Sequence, residues 1–248
     1  MMDWLGADWM WAALAGLVAG AALVVGAVIA WTIEVPTRIV ASVMAFGAGV
    51  LISALAYDLV LEAQEEGGFW PTVGGFATGA VVYVAANTLL DRLDQRNPRG
   101  RGESAGTGVG IALGALLDGI PESAVLGLSM VGGTGVSVPV LLAIVISNVP
   151  EGLSSTAALK ADGRSARYVF TLWIGIALAS AVAALLGFVL LDGASGQTTA
   201  FITALAAGAI LAMICDTMIP EAFRTTHAFT GLLATSGFLL SFAVHTAG

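Results

Sequence analysis

Apolar runs of about 20 residues recur along nearly the whole chain, separated by short polar or glycine-rich breaks. They fall at roughly 9–31, 38–62, 72–91, 106–130, 137–159, 168–191, 200–222 and 228–247. An α-helix rises about 1.5 Å per residue, so each run is long enough to cross a hydrocarbon core about 30 Å thick. Membrane strands would instead show ten-residue segments of alternating polarity, and these runs are continuous. The expected fold is all-α: a polytopic integral membrane protein with eight transmembrane helices in one domain spanning 1–248. The connections are short. The longest, around Asp91–Glu103, is rich in Arg and Gly and reads as a flexible cytoplasmic loop.

The pattern also repeats internally. Gly49-Val50-Leu51-Ile52-Ser53-Ala54 matches Gly208-Ala209-Ile210-Leu211-Ala212-Met213, and further on Glu62-Ala63 matches Glu221-Ala222. An acid precedes each glutamate, Asp58 in one copy and Asp216 in the other, with spacings that differ by one. Spans four and five share a Pro-Glu pair, Pro121-Glu122 and Pro150-Glu151. In an eight-span chain, spans two and seven run in opposite directions, as do four and five. This predicts an inverted repeat of 3+2+3 helices, an arrangement that forms substrate sites near the bilayer midplane.

Composition agrees: 58% hydrophobic, 10% charged and a mean hydropathy of +0.93 exclude a soluble globular domain. The net charge of −8 matters less than where the charges sit. With eight spans, every base lands on one side: Arg38; Arg92, Arg96, Arg99 and Arg101; Lys160, Arg164 and Arg167; Arg224. The positive-inside rule then places both termini outside the cytoplasm, in a multi-pass protein of the plasma membrane. Met1–Trp9 lacks a basic n-region, so the first span is expected to be retained. Trp4, Trp9, Trp11, Trp31 and Trp70 suit an interfacial belt, and Gly106, Gly110 and Gly114 suit a packing seam. The single Cys215 excludes an internal disulfide and reads as a small core residue. His227 and His245 read as interfacial residues.

The chemistry lies in acids without bases. Asp58, Glu62, Asp118, Glu122, Glu151, Asp216 and Glu221 fall within or at the ends of spans whose interiors hold no Lys or Arg. A carboxylate at the bilayer centre costs roughly 2.5–3.5 kcal/mol on insertion scales, so the compensating charge must come from protons or bound cations. Pro121 and Pro150 each remove a donor and release a carbonyl, at Leu117 and Ile146. Asp118 and Glu122 share one helix face, as do Ser147 and Glu151, and Asn148 adds an amide oxygen. An oxygen-rich pocket of Asp118, Glu122 and Glu151, supported by Ser147 and Asn148, suits divalent ions such as Mn²⁺ or Mg²⁺, with Zn²⁺ held through carboxylates. Asp58, Glu62, Asp216 and Glu221 are candidate residues of an ion pathway. The plainer alternative is that the prolines only kink helices while the acids stay protonated and the end acids are solvated.

At these residues the chain resembles the ZIP (Zrt/Irt-like) family of divalent metal transporters. Its fourth-span motif usually reads His-Asn-x-Pro-Glu-Gly and its fifth His/Gln-x-x-Pro-Glu-Gly; here Pro121-Glu122 and Asn148-Val149-Pro150-Glu151-Gly152 match. Gly47-Ala48-Gly49-Val50-Leu51 and Ile219-Pro220-Glu221-Ala222 also look like family sequence. Asp118 stands where the family has histidine, Gly119 replaces asparagine, Ser123 replaces glycine, and Ser147 takes the place of His or Gln. The sixth span, Tyr168–Leu191, has no Glu or His, and the usual His-rich loop before span four is absent. The resemblance implies alternating access around a midplane site, carrying Zn²⁺ or a related Mn²⁺ or Fe²⁺ toward the cytoplasm. With these departures it implies one metal held mostly by carboxylates. Asp58 and Glu62 would lie on the outer path, Asp216 and Glu221 on the inner one. The rivals are a proton-linked transporter or channel for another solute, and a membrane protein that binds metal without moving it. An enzyme is not expected, since no His-Glu-x-x-His or Gly-x-Ser-x-Gly motif occurs. No prosthetic group is called for. The expected partners are the transported ion and the lipid bilayer, with no nucleic acid and with a homodimer left open.

Overall fold

The computed structural model describes residues 5–95, 108–131 and 135–247. Expectations concerning Trp4, Gly106, Arg96, Arg99 and Arg101, and loop positions 132–134, lie outside the described residues. The elements are α1 (Leu5–Thr32), α2 (Thr37–Ala54), α3 (Leu61–Gly67), α4 (Phe69–Gln95), α5 (Gly108–Leu128), α6 (Val138–Ala161), α7 (Ala166–Leu191), α8 (Gly196–Met213), α9 (Ile219–Thr226) and α10 (Phe229–Ala247). No strand occurs among the described residues. Among the described residues seven helices are long and apolar enough to cross a membrane, and α5, at 21 residues, is an eighth long helix. The protein is a polytopic all-α membrane protein.

Helix starts follow from local chemistry. Ser137, Ser165 and Ser195 each cap a helix by accepting from the backbone N–H three residues on, at Val140, Tyr168 and Thr198. After α6 and α7 the chain turns at Gly163 (φ 76°) and Gly193 (φ 78°), a left-handed conformation that a Cβ disfavours. Spans two and seven run further than their apolar cores, over Thr37–Gly67 and Gly196–Thr226. Inside both, the α-helix widens to a π-helix, at Leu55–Val60 and Ile214–Met218. Each π segment carries one of the repeat's acids, Asp58 or Asp216. Both copies widen at matching places and keep one separation of 159 on either side, Gly49 with Gly208 and Glu62 with Glu221, so Asp58 matches Thr217 and Asp216 matches Tyr57 rather than each other.

Helix packing is densest within two groups, with α2 also packed on α6 across them. In the first, α1 packs on α7 and α6, and α7 packs on α5; in the second, α4 packs on α8 and α10 on α2. The pairings obey one symmetry, which exchanges spans one and six, two and seven, three and eight, and four and five. Close glycine contacts confirm it at residue level. A Cβ on Gly49 would meet Ala234 O and one on Gly237 would meet Phe46 O, while on the other side Gly208 meets Phe76 O and Gly79 meets Leu205 O. The first group has matching contacts: Gly26 lies on Val149 where Gly187 lies on Ala124, and Gly152 lies on Leu23 where Gly127 lies on Ala184. These last pairs match Val149 with Ala124 and Gly152 with Gly127, a separation of 25. The two Pro-Glu pairs are 29 apart. They are therefore one helical turn out of register with the symmetry, which pairs Glu122 with Ser147 rather than with Glu151.

Large apolar residues cover the outside of the bundle, among them Trp70, Val81, Leu190, Phe229 and Leu232. The interior is filled by Leu23, Leu126, Ile144, Leu159, Trp173 and many alanines. Small residues at the helix seams let the backbones approach closely, as expected where lipid offers no hydrophobic drive to associate.

Candidate functional site

Asp118 and Glu122 sit one turn apart on α5, and Ser147, Asn148 and Glu151 on α6; both helices continue past their prolines. Asp118, Ser147 and Glu151 line one cavity of about 210 Å³, together with Ser155, Thr217 and Glu221. A second cavity of about 200 Å³ shares Met44 and Glu221 with the first and reaches Thr37 and Thr225. Those residues stand beside Arg38 and Arg224, so the two cavities lead from the acids toward the basic side of the molecule.

The expected ligands differ in their surroundings. Glu122 is 1% exposed, outside that cavity's lining, and its Oε2 has no hydrogen-bond partner. Asn148 is buried and turned to α1, where its Nδ2 donates to Ala19 O at 2.9 Å. Ser147 Oγ donates to Ile144 O at 2.9 Å on its own helix. Among the described residues no three His, Cys, Asp or Glu side chains close into a metal-sized cluster. Glu151 instead has Asp118, Glu122 and Glu221 as its charged neighbours. The one-turn offset between the Pro-Glu pairs is the geometric reason that the two glutamates are not symmetry mates.

Two partners lay beyond sequence reasoning. Tyr83, on α4 and 2% exposed, donates its hydroxyl to Asp118 Oδ1 at 2.8 Å. Asp216 and Thr217 stand close enough to act on the same phenol. His245 was expected to be only interfacial, yet its Nδ1 lies 2.8 Å from Asp58 Oδ1, and its ring stacks on Tyr57. One of the candidate pathway acids thus has an internal partner that a search for Lys and Arg overlooks, because the histidine is 187 residues away in sequence. Asp58 Oδ2 remains buried without a partner. Glu62 is exposed, with Asp58, Glu65 and Glu66 as charged neighbours. Asp216 and Cys215 are also exposed, which corrects the expectation that Cys215 fills a core. Glu221 accepts from Ser154 Oγ at 2.6 Å.

A span interior that holds several carboxylates around a cavity and no Lys or Arg attracts positive charge. Its oxygen donors suit a hard or borderline divalent ion. No protein-family model matches the chain. A protein of Arabidopsis thaliana that bears the name "Putative zinc transporter" is 30% identical over 216 residues, covering 86% of this chain and 34% of that protein. The chain therefore spans about a third of that relative's length.

Proposed function

We propose that the chain is a divalent-metal transporter of the ZIP type, moving Zn²⁺ or a related ion such as Mn²⁺ or Fe²⁺ toward the cytoplasm by alternating access. One observation carries the reading: Asp118, Ser147 and Glu151 share a cavity in mid-span, with Glu221 at the junction to a second cavity on the basic side. The relative named as a zinc transporter, aligned over most of the chain, supports the cargo class. Asp118 and Glu151 act as the principal ligands, with Ser147 beside them. Glu122, buried with a spare oxygen, joins when the helices shift, and Asn148 holds α6 to α1. Asp58 and Glu62 serve the side away from the bases, Asp216 and Glu221 the basic side. By the positive-inside rule the basic side is cytoplasmic and both termini are outside.

The test is flux into liposomes loaded with a divalent-sensitive dye. Asp118→Ala and Glu151→Ala each lower uptake by roughly tenfold or more, as loss of a metal-holding group does. Wild-type flux in both variants rejects the site. Flux that follows a pH gradient but ignores added Zn²⁺ and Mn²⁺ favours the proton-linked rival.

A further inference from the structure

Among the described residues, most side-chain hydrogen bonds between helices fall within the two packing groups. Asn148 holds Ala19, Trp173 holds Thr156 and Lys160 holds Trp31 in the first group, and His245 holds Asp58 in the second. Among the described residues two bonds cross the seam, Tyr83 to Asp118 and Ser154 to Glu221, and each ends on an acid of the proposed site or pathway. Crossing bonds fix how one group sits against the other.

The symmetry treats these two bonds differently. The separation of 25 between spans four and five matches Ser154 with Ser129. The separation of 159 between spans two and seven matches Glu221 with Glu62. The mate of the Ser154–Glu221 pair is thus another serine and another glutamate, although the two separations come from independent comparisons. The mates of Tyr83 and Asp118 are Ser241 and Ala143, which offer no acid.

In this conformation only one of the matched pairs is joined in this way. Ser129 Oγ donates to Leu126 O at 2.9 Å and accepts the N–H of Ser137 at 3.2 Å, at the end of its own helix. Glu62 is exposed among other acids. In transporters with inverted repeats one bundle moves against the other around a fixed site, so a contact made by one half has a symmetry mate in the other half. We infer that Ser129 and Glu62 form the reciprocal latch, joined in the opposite access state when the Ser154–Glu221 bond has parted. A hydroxyl donating to an ionised carboxylate makes a short, charge-assisted bond, so either latch biases the position of the two groups. Ser129 and Ser154 are then positioning residues of the cycle. The inference rests on the transport reading for its purpose, and its test is independent of cargo.

The experiment uses the full chain with Cys215→Ser in membrane vesicles. One variant carries Ser154→Cys with Glu221→Cys, a second carries Ser129→Cys with Glu62→Cys, and a third carries all four cysteines. A short bis-methanethiosulfonate reagent spans the difference in reach between a glutamate and a cysteine. The expected result is linkage of either pair when present alone, and only one linkage per molecule in the four-cysteine chain. Ser129→Ala added to the first variant raises its linkage rate by about fivefold, since losing one hydrogen bond depopulates the opposite state. Failure of the 62/129 pair to link, failure of the 154/221 pair, or both links in one molecule overturns the inference. Mutual exclusion of the links without divalent-ion flux in the wild type upholds the latch and rejects the cargo reading. Flux without any 62/129 link does the reverse.

Discussion

Tyr83 shows how much a single hydroxyl contributes when it stands next to a buried acid. Its donation to Asp118 orients one carboxylate oxygen, and under the proposed function the other is the one that holds the ion. Tyr83→Phe keeps the ring, so folding is preserved; half-saturation for divalent ion rises about tenfold in the liposome assay, within the range seen for groups that orient metal ligands. His245 plays the matching part for Asp58. With His245→Ala the acid loses its partner while its second oxygen already has none, and thermal unfolding in detergent reports a loss of about 1–3 kcal/mol. The roles of these residues were illegible in sequence for a plain reason. A tyrosine or histidine near a span end is common, and what makes these two special is the acid opposite, which only the packed bundle supplies. The acids themselves were legible, because carboxylates in an apolar run are costly and need an explanation wherever they occur.

At the scale of helices, the seam between α6 and its neighbours shows two kinds of constraint. Trp173 and Thr156 are both fully buried and joined at 2.7 Å, so Thr156→Val leaves the indole N–H unsatisfied. Melting of that variant falls by an amount equivalent to about 1–3 kcal/mol, and Thr156→Ser, which keeps the hydroxyl, recovers most of it. Gly152 is a steric constraint instead: a Cβ there would sit 2.2 Å from Leu23 O, so Gly152→Val fails to yield folded protein. Gly175→Ala, with nothing within 4 Å, purifies like wild type and serves as the control. Helix positions were readable from apolar run length to within a few residues. The π segments were not, since hydropathy carries no information on the hydrogen-bond register inside a helix.

For the whole molecule, a one-sided distribution of bases and a twofold packing scheme make a joint prediction. Single cysteines placed at Asp162, in the turn before α7, and at Ala194, in the turn after it, lie at opposite ends of one spanning helix. In intact cells a membrane-impermeant thiol reagent labels position 194 and leaves 162 protected until the membrane is opened. The reverse pattern would invert the assigned direction of transport. The division into two groups also gives a physical setting for alternating access. Most close glycine contacts join helices of one group, while among the described residues two side-chain hydrogen bonds, Tyr83 to Asp118 and Ser154 to Glu221, tie the groups to each other.

The sequence by itself determined the class of molecule, the number of long helices, the side on which bases collect and the set of acids that need compensation. Each of these depends on local composition or on charge alone, which act before any helix meets another. Tertiary structure decided which acids share a cavity, that the two Pro-Glu pairs stand one turn out of symmetry, and which partners come from α4 and α10. Those depend on how closely small residues let distant backbones approach, a property of pairs of helices that no single run of residues encodes.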